Sequence, residues 1–76
     1  MNQYVKNILE KRIAEIDIYI AACDKEIKKH HKDLNNINKQ DLMYPTLLDV
    51  LGQEYIEKGN LVAEKINLEN ELNKKS

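Results

Sequence analysis

Few residues in this chain could carry chemistry, and their spacing favours contact over catalysis. His30 and His31 are the only histidines, Cys23 is the only cysteine, and Thr46 and Ser76 are the only aliphatic hydroxyls in 76 residues. Adjacent helical residues point about 100° apart, so the two imidazoles cannot close on one ion within a chain. Glu26 with His30, or His30 with Asp33, offers two ligands, whereas zinc takes three or four. One thiol makes no internal disulfide and no CxxC framework. The HExxH, GxSxG and glycine-rich phosphate patterns are absent. The thirteen acidic side chains are spread along the helices, often next to lysines, as surface ion pairs usually are. These residues predict a non-enzyme with no metal, no cofactor and no small-molecule substrate.

Two other groups point to macromolecular contact. The first is KEIKKHHK, residues 25–32, where Lys25, Lys28, Lys29 and Lys32 form a basic cluster. Such a stripe can bind phosphates, but Asp24 and Asp33 bound it, and it lacks arginine and any interleaved aromatic for base stacking. It supports a nucleic-acid-binding alternative. The second group is apolar. IDIYIAAC, residues 16–23, carries one charge, Asp17, and is hydrophobic almost all round, as a helix buried on several sides would be. Ile18, Tyr19 and Ala22, with Tyr44 and Tyr55 as aromatic anchors, are the expected contacts for another protein.

Long helices must position these residues, because two glycines and one proline leave little turn chemistry. The one break is NNINKQDLMYPT, residues 35–46, and Pro45 disfavours helix at the residue before it. The pattern predicts one domain over residues 1–76, with helix 1 at about 2–38, a connection at about 39–45 and helix 2 at about 46–73. Steps of four and three along helix 1 meet Leu9, Ile13, Ile16, Ile20, Cys23, Ile27, His30, Leu34 and Ile37. This is a heptad seam in which Cys23 is a small apolar residue and His30 a polar layer.

Helix 2 is expected to start at Thr46, capped with the help of Asp49, or with Pro45 as its first helical residue. Its broader apolar face comprises Leu47, Leu48, Leu51, Tyr55, Leu61, Val62, Ile66 and Leu72. Gly52 and Gly59 would either kink it or admit a close helix neighbour. The expected fold class is all-α, an antiparallel helix-loop-helix hairpin whose return arm covers the C-terminal two-thirds of helix 1. The uncovered seam would then pair copies into a dimeric four-helix bundle or coiled coil.

A net charge of −1 provides no global field toward nucleic acid or acidic lipid. No run approaches the ~18 apolar residues of a membrane span, and MNQYVKNILEKR lacks the apolar block of a secretory signal, which predicts a cytoplasmic protein without membrane contact. Isoleucine, lysine and asparagine fill 29 positions, a bias associated with AT-rich phage or mobile-element genes. Leu9, Arg12, Ile13, Ile16 and Asp17 are similar to the start of helical chorismate mutases, but that family's downstream site pattern has no counterpart here and no family is assigned. The expected function is that of a small homo-oligomeric helical protein, most simply a dimer, that binds a second protein as an inhibitor, regulator or assembly factor. A purely structural scaffold is a further alternative.

Overall fold

Heptad-spaced apolar residues with few turn formers give a hairpin of two long helices in the computed structural model, which describes residues 2–74. Helix α1 spans Gln3–Asn36 and α2 spans Met43–Asn73, packed against each other, with no strand among the described residues. The hairpin is a rod of 57 × 15 × 13 Å. Its radius of gyration is 17.3 Å, against about 11 Å for a compact chain of this length. A rod exposes more of its side chains than a globule does.

Local chemistry sets the helix ends. Asn2 caps α1 by accepting the Val5 N–H at 2.8 Å. The Ile37 N–H donates to the Asp33 carbonyl at 3.1 Å and closes the last turn, so α1 ends two residues before the expected boundary. In the connection, the Asn38 side chain accepts the Gln40 N–H and the Asp41 side chain accepts the Met43 N–H, both at 2.8 Å.

The Asp41 contact moves the start of α2. The helix begins at Met43 and not at Thr46, because Asp41 supplies the turn acceptor that the Thr46–Asp49 box was expected to provide. Pro45 then lies in the first turn, where its missing N–H is an orphan in any case. Tyr44 is helical despite preceding Pro45. The helix runs unbroken through Gly52 and Gly59.

All nine seam positions, from Leu9 on α1 to Ile37 just past its end, are buried or half-buried. In a two-helix unit the shield is α2. Ile16 is completely buried, and Ile27 and Leu51 are 6% exposed. The matching line on α2 is Tyr44, Leu47, Leu51, Glu54, Lys58, Leu61, Lys65, Leu68 and Leu72, again none of them exposed, and it keeps the same alternation of three and four. The return arm is therefore longer than expected. With 31 residues against 34, it covers α1 as far as Leu9, and the end of α2 at Leu72 and Asn73 shares a groove with Glu10 and Ile13. The seam expected to join copies closes the hairpin within one chain. No helix among the described residues is long and apolar enough to cross a membrane.

Candidate association surfaces

Polar pairs along the two edges of the seam lock its register. On one edge Lys58 Nζ meets Asp24 at 2.6 Å, Lys65 Nζ meets Asp17 at 2.7 Å, and His31 Nε2 lies 2.8 Å from the Tyr55 hydroxyl with the two rings edge to face. On the other edge Arg12 forks onto Glu64 at 2.9 and 3.3 Å and also reaches Glu15 at 3.4 Å, while His30 Nδ1 lies 2.7 Å from Glu54. A slip of one turn would break all five interhelical pairs together. No buried polar side-chain atom among the described residues lacks a partner.

These pairs shift proton affinities in a consistent direction. The hydrogen bonds to Asp24, Asp17 and Glu64 hold the protons of Lys58, Lys65 and Arg12 more tightly than usual. Cys23 is half-buried. Burial pushes its thiol up, aided by the negative charges of Glu57, Asp24 and Glu54, which makes it a poor nucleophile at neutral pH.

Among the described residues, the donors of Glu26, His30 and Glu54 converge to within 4.8 Å. The sequence pairs Glu26 with His30, and the fold adds Glu54 from α2. A metal there would have to replace the 2.7 Å His30–Glu54 hydrogen bond, recruit the exposed Glu26, and rely on a single imidazole.

At about 100° per residue, the two edges define two faces of the hairpin. On the Arg12 and His30 side, α1 presents Tyr4, Ile8, Ile18, Tyr19 and Ala22, all exposed, with Ile18 at 68%. On the Asp17 and Asp24 side, α2 presents Leu48, Tyr55, Val62 and Ile66, also exposed. The five expected partner contacts thus do not form one surface. Ile18, Tyr19 and Ala22 share the first face, Tyr55 lies on the second, and Tyr44 is half-buried at the head of the α2 seam.

Tyr4 and Ile8 were missed, although their spacing of four and then ten to Ile18 continues the first face. Lys25, Lys28, Lys29 and Lys32 are all exposed, and none enters an ion pair among those found in the described residues. Comparison of the chain with known protein families, with curated proteins and with solved structures found no match.

Proposed function

We propose that this hairpin is a non-catalytic association module. In this reading it self-associates through the α2 face and docks on a second protein through Tyr4, Ile8, Ile18, Tyr19 and Ala22, acting as an inhibitor, regulator or assembly factor. One observation carries the reading: among the described residues three apolar side chains are 6% exposed or less, while thirteen large ones, from Tyr4 to Ile66, stay exposed. Each Leu or Ile taken out of water stabilises a fold by about 1.5–3 kcal/mol, so the exposed set offers apolar surface for contacts outside the chain.

The test is affinity capture from the native host with the wild-type chain and with Ile18→Glu, alongside circular dichroism. The reading predicts a discrete protein held by the wild type and lost with Ile18→Glu at unchanged helicity. Equal capture by both chains would contradict it.

A second reading, nucleic-acid binding, draws support from the four exposed lysines on the outer side of α1. It predicts a complex with duplex RNA or DNA that weakens steeply with salt, because each phosphate contact releases a counterion. Absence of binding at low salt removes it.

A further inference from the structure

Gly52 and Gly59 stand seven residues apart within α2, and each costs a helix about 1 kcal/mol relative to alanine. A Cβ built at either meets nothing within 4 Å, so packing inside one hairpin requires neither glycine. Both belong to a line that steps by four and three, Leu48, Gly52, Tyr55, Gly59, Val62 and Ile66, every member exposed. Beside it on α1, at the same spacing, run Asp17, Ala21, Asp24, Lys28, His31 and Asn35. The Asp17–Lys65, Asp24–Lys58 and His31–Tyr55 contacts hold the two lines side by side at one level.

We propose that a second copy of this chain covers this face, related by a two-fold axis perpendicular to the helices, with α2 antiparallel on α2 and α1 antiparallel on α1. Closed dimers of identical chains need a patch that complements itself. A line of six residues that alternates four and three is symmetric about its midpoint, so spacing alone decides nothing and residue type must. Reversed on itself, the α2 line sets Leu48 opposite the copy's Ile66, Gly52 opposite its Val62 and Tyr55 opposite its Gly59. Both glycines receive a bulky side chain, and no two aromatics collide.

The same axis reverses the α1 line. Asp24 then faces the copy's Lys28, Ala21 faces its His31, and Asp17 faces its Asn35. Acid meets base, small meets large, and no like charges oppose. A two-fold axis parallel to the helices would instead lay Leu48, Val62 and Ile66 over Asn35, Ala21 and Asp17, and Tyr55 over Lys28, which sets apolar side chains largely against polar ones. The charge and size pattern therefore selects one orientation.

The shared stretch is about 27 Å long at 1.5 Å per residue, on a rod 15 Å wide. That patch is smaller than the ~800 Å² per partner of a standard interface, so the association is reversible and depends on concentration.

This inference rests on the self-association in that reading: a monomeric wild type fails both, a dimer indifferent to Gly59→Leu fails this geometry alone, and docking on a second protein is read separately by capture. The experiment is sedimentation equilibrium of the full chain from ~1 to ~100 μM, with circular dichroism on each variant. The wild type is expected to approach twice 8.9 kDa. Gly59→Leu has open space within the hairpin and removes a helix-weakening residue, so helicity is kept or raised. The new side chain collides with the copy's Tyr55, and the dimer constant weakens at least ~10-fold. Adding Tyr55→Ala restores the dimer. A wild type that stays monomeric, a Gly59→Leu chain that dimerises unchanged, or a double variant that regains nothing would each overturn the proposal.

Discussion

Two residues apart on α1, Ile16 and Ile18 should respond oppositely to mutation, because Ile16 is 0% exposed and Ile18 is 68% exposed. Truncating a buried isoleucine to alanine costs roughly 2–5 kcal/mol, with the low end expected where neighbours can collapse into the gap. A two-helix unit collapses easily, so about 2–3 kcal/mol is the appropriate figure for Ile16→Ala. Total stability for a chain of this length is of order 4–11 kcal/mol, and each kcal/mol shifts the melting temperature by about 4–8 °C. Ile16→Ala should therefore lower Tm by roughly 10–20 °C. Ile18→Glu changes a surface position, with an effect within about 0.5 kcal/mol. The assay is thermal and urea unfolding followed by circular dichroism at fixed chain concentration. Equal losses from the two variants would mean that α1 is rotated about its axis from the orientation described, and the division into two faces would fail with it.

Further outcomes follow from the polar pairs. Lys58 and Lys65 hold their protons more tightly in the folded chain, through their hydrogen bonds to Asp24 and Asp17, and the half-buried Cys23 thiol does the same. Folding then contributes stability below the unfolded values of about 8.5 for cysteine and about 10.4 for lysine, and that contribution is lost as pH rises through the higher folded values. Tm should fall from about pH 8.5 upward, and Asp17→Asn with Asp24→Asn should flatten the alkaline part of the curve. Cys23 should react with iodoacetamide at pH 8 more slowly than a cysteine in the urea-unfolded chain. Glu54→Ala strands His30 at a largely buried position and should cost about 1–3 kcal/mol in a urea melt, whereas Leu at both positions should leave stability equal or higher.

The hairpin was legible from the α1 heptads and the scarcity of turn residues, because eight of its nine seam positions are apolar and all nine turn inward. The seam of α2 was legible only at Leu47, Leu51, Leu61 and Leu72. Glu54, Lys58 and Lys65 occupy three of its positions, and each is half-buried only because a partner on α1 meets it. Apolarity pointed instead to Leu48, Tyr55, Val62 and Ile66, which are exposed. With the α2 seam misread, the return arm looked too short and the α1 seam looked uncovered. The boundary at Met43 was hidden because Asp41 and Thr46 are both capping residue types, and it is Asp41 that accepts the Met43 N–H.

The central claim is that the folded hairpin leaves apolar faces which association covers. Because a partner copy that binds only the folded form raises apparent stability by mass action, the melting temperature of the wild-type chain should climb steadily across a ~100-fold rise in chain concentration. A single sharp transition at the same temperature throughout that range would contradict the claim.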